Sequence, residues 1–308
     1  MSESIPLKKY KIVDQPKLLM TLLVKNEADI IEHNIIFHKA HGVDAFIATD
    51  NNSSDGTREI LQKYKDKGWI LDIIDEPDED YQQKEWVHRM ILQSKQYEPD
   101  WIINCDADEF WISKTGNLKD EIKTFSGNKI YVPQYHMRCK DGGGARVFWE
   151  NNEKIVRLFS RLYRRYLIFR GILCRYSQLT FGIPKVMHRL EDYRHIHMGN
   201  HWVAMENQGE EVQSTTLHIN HYNIRGYEQF RRKMILGAEA VSRNKQLSQQ
   251  AARHWRYFLD RFQQGIDMET EYRRAMGDFC LKQIAKYKLY DIDNTVRDFF
   301  RNLQVENE

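Results

Sequence analysis

At 308 residues the chain is long enough for one large α/β domain with an appendage, or for two modest domains. Hydrophobic residues make up 41%, which excludes global disorder, and a formal net charge of +2 is too small for nucleic-acid wrapping, so no nucleic-acid partner is expected. Cys105, Cys139, Cys174 and Cys280 lie far apart with no CxxC pair, which speaks against a zinc ribbon or disulfide framework and fits a reducing, cytoplasmic compartment.

Met1 to Lys17 reads as a polar tail without the apolar core of a signal peptide. No later apolar run reaches spanning length, so any membrane association would be peripheral. Leu18 to Val24 is a nearly continuous apolar run, the pattern of a strand buried on both faces in a parallel sheet. Ile31, Ile35 and His38 then recur at helical spacing, with Ile30, Asn34 and Phe37 alongside, and Gly42 stands where a helix C-terminal glycine belongs. A second strand runs from Ala45 to Thr49, and Asp50 to Gly56 is a dense turn signal. Asp55 or Thr57 can cap a helix running to about Lys67, with Gly68 ending it. Trp69 to Ile74 reads as a third strand, Gln82 to Tyr97 as a helix, and Trp101 to Cys105 as a fourth strand.

This alternation predicts an α/β fold with a doubly wound, mostly parallel sheet flanked by helices. Such folds bind ligands beyond the carboxyl ends of their strands. Three polar clusters follow strands directly: Lys25-Asn26-Glu27, Asp50 to Asp55, and Asp106 to Glu109. One sheet edge is expected to gather all three. Downstream, Lys129 to Tyr135 reads as a strand and Gly142-Gly143-Gly144 as a loop. Lys154 to Arg194 carries strand-like, arginine-rich segments, and His195 to Val203 and Thr215 to Tyr222 read as extended. From Gly226 the pattern is mostly helical, over Tyr227 to Asn244, Ala251 to Phe262 and Glu269 to Leu303.

Asp106 and Asp108 stand one residue apart at the end of a buried strand. Two like charges at about 4 Å and an effective dielectric near 20 repel by roughly 4 kcal/mol. Either one takes a proton or a cation sits beside them. Carboxylate oxygens suit Mg2+ or Mn2+, which could neutralise the diphosphate of a leaving nucleotide. The plainer alternative is a solvated acidic loop after a strand.

Leu23-Val24-Lys25-Asn26-Glu27-Ala28-Asp29-Ile30-Ile31-Glu32-His33-Asn34 resembles the opening of family 2-type glycosyltransferases. Asp50-Asn51-Asn52-Ser53-Ser54-Asp55-Gly56-Thr57 is similar to their second nucleotide-binding segment, and Asp106-Ala107-Asp108-Glu109-Phe110 to their metal-binding DxD. The order and spacing resemble the GT-A fold, and the subgroup most similar is the family 2/family 92-like one, with a downstream His221-Tyr222 and a basic helix leading to Lys233. The resemblance covers about residues 18 to 235. It implies a Rossmann-like GT-A catalytic domain over 18–225, divided into a nucleotide-sugar half (18–112) and an acceptor half (113–225). A tail (1–17) would precede it and a helical C-terminal extension (226–308) would follow. It implies a metal-dependent transfer of sugar from a nucleotide-diphosphate sugar, UDP by family habit, to a hydroxyl of a glycan, lipid-linked or other acceptor.

Residue by residue, the resemblance puts Lys25, Asn26 and Glu27 in the nucleotide pocket and Asp50, Asn51, Ser53 and Asp55 near base or ribose. Asp106 would contact ribose or metal, Ala107 would line the pocket, Asp108 would ligate the metal, and Glu109 would touch the sugar or orient a ligand. For Asn26 and Asp55 the competing role is helix capping. A late histidine, His221 or His218, would complete the metal site, with His195, His197 and His201 upstream as further candidates for that or for a zinc site. Arg225 and Lys233 would stabilise the departing diphosphate. If the reaction inverts, a carboxylate must deprotonate the acceptor, and Glu191, Asp192 and Asp141 are the candidates.

Arg157, Arg161, Arg164, Arg165, Arg170 and Arg175 interleave with Phe159, Tyr163, Tyr166 and Phe169. That pattern could grip a phosphorylated or lipid-linked acceptor or an anionic membrane surface, or stack on RNA; the plain alternative is a solvated sheet face. Two other functions compete with glycosyl transfer. A nucleotidyltransferase would share the sheet and the acidic site but calls for a Gly-rich basic loop after the first strand, where this chain has Lys25-Asn26-Glu27. A non-catalytic module would bind through the arginine-aromatic surface alone.

Overall fold

The computed structural model describes residues 7–78, 82–139, 147–243 and 253–305. Its first seven elements reproduce the expected alternation: β1 (Leu18–Val24), α1 (Ile31–Ala40), β2 (Ala45–Asp50), α2 (Thr57–Asp66), β3 (Ile70–Asp75), α3 (Gln83–Ser94) and β4 (Trp101–Asp106). There follow β5 (Glu109–Ser113), α4 (Lys119–Ile122), β6 (Lys129–Val132), β7 (Gln134–Arg138), β8 (Glu153–Ile155), α5 (Arg161–Phe169), β9 (Lys185–Arg189), β10 (Tyr193–Ile196), β11 (Val203–Met205), β12 (Glu211–Gln213) and β13 (Leu217–His221). The chain closes with α6 (Tyr227–Arg243), α7 (Arg253–Gln263), α8 (Met268–Met276), α9 (Leu281–Lys286), β14 (Tyr290–Ile292) and α10 (Thr295–Val305).

Two compact units are interleaved in sequence: residues 1–78, 82–134 and 183–219 form the first, and 79–81, 135–182 and 220–308 the second. The first unit carries a seven-stranded sheet in the order β12-β6-β9-β4-β1-β2-β3. Strands β3, β2, β1 and β4 run parallel, and β1, β2 and β4 are buried along nearly their whole length, which is why their sequences are continuous apolar runs. β9 lies antiparallel against β4, and β6 antiparallel against β9. The apolar side of α3 packs on this sheet, where Val87, Met90 and Ile91 meet Leu19, Ile47, Ile102 and Val186. Gly42 ends the turn after α1 at φ +102°, a conformation that favours glycine. The four residues Lys8 to Lys11 are not a loose tail throughout: the Lys8 N–H donates to Gln208 O at 2.7 Å, and Tyr10 is buried.

In the second unit β8 pairs antiparallel with both β7 and β14. Arg138 anchors it from within, donating to Met276 O (3.0 Å), Glu153 (3.0 Å) and Asp278 (2.8 Å). α6, α7 and α8 share a core of Phe230, Met234, Phe258, Met268 and Tyr272.

Three expectations need correction. The strand read over Lys129 to Tyr135 is two strands, interrupted at Pro133, which has no N–H to give a ladder. Residues 161–169 are helical, not extended: the Ser160 hydroxyl accepts from the Tyr163 N–H, and Phe159, Tyr163 and Leu167 repeat every four residues toward the core. The long helix read over Glu269 to Leu303 is three helices and a strand, α8 stopping at Gly277, whose φ is +77°. The Gly142-Gly143-Gly144 loop and the base candidate Asp141 lie outside the described residues.

Candidate active site

The carboxyl ends of β1, β2 and β4 lie side by side. Val24 is in register with Asp50, and Leu23 with Asp106, so the polar segments that follow β1, β2 and β4 meet at one edge. The first two are joined by hydrogen bonds. Asn26 adopts φ +55°, tolerable for an asparagine, and its N–H donates to Ser53 Oγ at 3.0 Å while its Oδ1 accepts from the Ser54 N–H at 2.8 Å. The Glu27 N–H donates to Thr57 Oγ1 (2.9 Å), and the Ala28 N–H to Asp55 Oδ2 (3.2 Å). Asp55 Oδ1 accepts from both the N–H and the hydroxyl of Thr57, at 3.1 and 2.6 Å. Asp55 thus closes the turn before α2, whose N-cap is Gly56 with no side-chain cap, and links the two loops as well. Asp50 Oδ1 accepts from the Ser53 N–H (3.2 Å), and Lys25 Nζ donates to Asn51 Oδ1 (3.1 Å). Asn51 in turn donates to Glu76 O and Asp78 O, tying in the segment after β3.

The turn Asp106-Ala107-Asp108-Glu109 is held from below by α1. The Asn34 amide donates to Ala107 O (3.0 Å) and Glu109 O (2.8 Å). One helical turn later, His38 Nε2 accepts from the Trp111 N–H (3.0 Å) while its Nδ1 faces Asn34 O and Oδ1 at 2.9 and 3.0 Å. The proton is therefore on Nδ1. Burial pushes the pKa of His38 down to about 3, so it is a neutral brace.

The cation demanded by the paired carboxylates is partly internal. Lys185, at the start of β9 and almost fully buried, places Nζ 2.8 Å from Asp106 Oδ2 and 2.9 Å from Glu109 Oε1. Burial alone would push this ammonium down, but Asp106 and Glu109 more than reverse the effect and hold it well above its ordinary range. Gln134 adds a 2.6 Å hydrogen bond to Glu109 Oε1. Glu109 is thereby committed to structure, with no exposed side-chain surface. Asp106 differs: its side chain is 31% exposed, and among the described residues its Oδ1 accepts no hydrogen bond. Asp108 is buried.

The other candidates fall elsewhere. Glu191 and Asp192 follow β9, whose far end is in register with the start of β4 (Arg189 with Trp101). They therefore lie toward the amino end of β4, and the five residue steps from Trp101 to Asp106 span roughly 17 Å at about 3.4 Å each. There Lys8 Nζ binds both, at 2.7 Å (Glu191) and 2.6 Å (Asp192), and the Tyr10 hydroxyl donates to Asp192 at 2.8 Å. Burial pushes the Asp192 carboxyl up, but Lys8, Asn207 and Tyr10 together outweigh it and hold the group below its ordinary value. An ion-paired carboxylate at that edge is not placed to take a proton beside Asp106.

His218 belongs to the first unit and His221 to the second. The His221 ring sits edge-on to His136 with centroids 5.3 Å apart. Among the described residues no three His, Cys, Asp or Glu side chains converge into a ready-made metal site. His195 and His197 neighbour each other (centroids 5.2 Å) beside Trp202, and His201 Nδ1 lies 3.0 Å from Pro184 O. In the second unit, Arg225 is buried, its N–H donating to Gln229 Oε1, and Lys233 Nζ donates to Asn223 O at 3.4 Å.

The model of glycosyltransferase family 92 matches residues 21–285, most of the chain and both halves of the edge just described. The chain belongs to glycosyltransferase family 92. No curated protein matches it. Among solved structures, this family 92 chain is similar to S. aureus TarS 1-349, at 14% identity over 85% of this chain and 80% of that one, with a TM-score of 0.40. It is also similar to glucosyl-3-phosphoglycerate synthase from Mycobacterium tuberculosis, a structure in complex with Mn2+, UDP and glucosyl-3-phosphoglycerate. That match has 14% identity over 76% of this chain and 82% of that one, with a TM-score of 0.37. As a family 92 member the protein is a glycosyltransferase.

Reading the sequence missed four side chains of this candidate site: Lys185, Gln134, Asn34 and His38. The available signal was polarity on a buried face. Asn34 and His38 share the buried side of α1 at i, i+4, and Lys185 opens the fully buried strand Lys185–Arg189.

Proposed function

We propose that the protein transfers a sugar from a UDP-sugar to an acceptor hydroxyl, with Mg2+ or Mn2+ at Asp106 and Asp108. The observation that carries this reading is the meeting of the Asn26, Ser53 and Asp106 segments at the carboxyl edge of β1, β2 and β4. The donor set suits a hard cation: the ligands offered are carboxylate oxygens, the Asp106 side chain is partly exposed, and its Oδ1 accepts no hydrogen bond among the described residues. With two carboxylates from the chain, the remaining oxygens would come from the donor diphosphate and water, as is usual for Mg2+. The bound ion would supply charge neutralisation at the leaving diphosphate.

The chain's own residues do the rest. The hydrogen-bonded loops 25–28 and 50–57 form a rigid wall for base and ribose, with Lys25, Asn26, Glu27, Asp50, Asn51 and Ser53 on it. Lys185 holds Asp106 in place through their 2.8 Å ion pair, and Asn34 fixes the turn that carries Asp108. Arg225 and Lys233 remain the candidates for the diphosphate, and His218 or His221 for a further metal ligand. Asp141 is retained as the acceptor base, since Glu191 and Asp192 are engaged by Lys8 at the other edge. The acceptor is a glycan, lipid-linked or other hydroxyl.

Turnover of a panel of nucleotide sugars with Mn2+ tests the reading. It predicts consumption of a UDP-sugar that is abolished by chelation and by Asp108→Ala in a protein that still folds. Consumption of nucleoside triphosphates, with no nucleotide sugar used, would overturn it.

A further inference from the structure

We infer that α5 is a docking surface for anionic lipid headgroups, through which the second unit rests on a membrane. The helix is nine residues long, about 14 Å at about 1.5 Å per residue, and it has two apolar faces where a soluble surface helix needs one. The inner face, Phe159, Tyr163 and Leu167, packs with Leu173, Leu179 and Ile284 and accounts for the fold. The outer face does not. Leu162, Tyr166 and Phe169, spaced i, i+4, i+7, are 78%, 52% and 87% exposed, and Leu158 just before the helix is exposed as well. A phenylalanine and a leucine left almost wholly in water cost apolar hydration that the fold gains nothing from.

The charge around this face names what covers it. Arg157, Arg161, Arg165 and Arg170 flank the apolar row and are all exposed. From Lys154 to Leu190 the sequence has no aspartate or glutamate, although the chain as a whole is nearly neutral at +2. An apolar row bordered by arginines that form no ion pair among the described residues complements an anionic bilayer surface: rings and leucine enter the headgroup boundary while guanidinium groups stay at phosphate level. An apolar row this short binds weakly alone, and the electrostatic part makes the second signal that stable attachment needs. No described helix is long and apolar enough to cross a membrane, so the contact is one of lying on the surface.

The test is co-sedimentation of the full-length protein with vesicles of phosphatidylcholine alone or with about one third phosphatidylglycerol. The protein should pellet with the anionic vesicles, not with the neutral ones, and release at high salt. Arg161→Gln with Arg165→Gln should weaken partitioning roughly 30-fold, from about fivefold per basic residue at the surface. Leu162→Ser with Phe169→Ser should weaken it at least as much. Both pairs of changes are on exposed side chains, so melting temperatures should stay at the parent value. Failure to pellet with either vesicle, or equal pelleting of parent and both variants, overturns the inference. So does retention by single-stranded RNA without vesicle binding, or a dimer that Leu162→Ser with Phe169→Ser dissolves while vesicles are ignored.

Discussion

Replacing Lys185 by methionine keeps most of the stem's volume and removes only the ammonium. Glu109, with 0% of its side chain exposed, would then lose its ammonium partner while the Gln134 amide and the Asp106 N–H still donate to it. Breaking a buried ion pair from one side costs about 3–5 kcal/mol, because the stranded charge keeps its desolvation penalty. Against total stabilities of about 5–15 kcal/mol this is a large fraction. At about 2–4 °C per kcal/mol for a domain of this size, Lys185→Met should lower the melting temperature by roughly 6–20 °C. Circular dichroism melting of four proteins (parent, Lys185→Met, Glu109→Gln and the double variant) reads both the loss and its cause. If the loss comes from the stranded carboxylate, Glu109→Gln in the Lys185→Met background should recover at least half of it, a coupling of about 1.5 kcal/mol or more. A Lys185→Met protein that melts within about 2 °C of the parent, or a double variant no better than the single, would refute the reasoning.

Other consequences follow from the same geometry. Asn34→Ala strands the carbonyls of Ala107 and Glu109; it should cost about 1–3 kcal/mol per unsatisfied group in urea unfolding and weaken Mn2+-dependent donor binding by calorimetry. Asp55→Ala removes the acceptor for the Ala28 and Thr57 N–H groups, with an expected loss of about 1–2 kcal/mol and a higher KM for donor. His38 and His188, held neutral by burial down to about 3 and about 4, are protonated near 6.5 once unfolded. The unfolded chain therefore binds more protons between those values, so stability falls as pH drops below about 6.5. By about pH 5 the two histidines should together cost about 4 kcal/mol relative to pH 7, read as a lower urea midpoint; equal midpoints would contradict this.

The parallel half of the fold was legible because three of its strands, β1, β2 and β4, are buried on both faces and each ends in a polar cluster. Leu18 to Val24 and Trp101 to Cys105 announce themselves by composition, and Gly42, Asp55 and Gly68 mark where helices stop and start. The antiparallel half was not legible. Its strands are short, and one of them, Lys185–Arg189, is basic at both ends because its lysine and arginine find buried partners that only the folded chain provides. α5 was read as extended since its aromatic residues carry β propensity, while its helical repeat of inner-face residues is visible only once the core they enter is known. At the candidate site, the residues that point to a ligand stood in the sequence as motifs. The residues that hold them, Lys185, Gln134, Asn34 and His38, come from other elements and carry no local signal beyond polarity where apolarity is expected. Glu191 and Asp192 illustrate the converse: acidic residues downstream of a DxD, which an antiparallel strand carries toward the amino end of β4, away from Asp106.

A crystal of the protein with a UDP-sugar and Mn2+, recorded at the manganese absorption edge, addresses the central claim most directly. An anomalous peak within coordination distance of Asp106 Oδ1 and Asp108, with the diphosphate against it and the uridine between the Asn26 and Ser53 loops, is the predicted result. Manganese and diphosphate bound away from the carboxyl ends of β1, β2 and β4, with Lys185 the sole cation at Asp106, would contradict it.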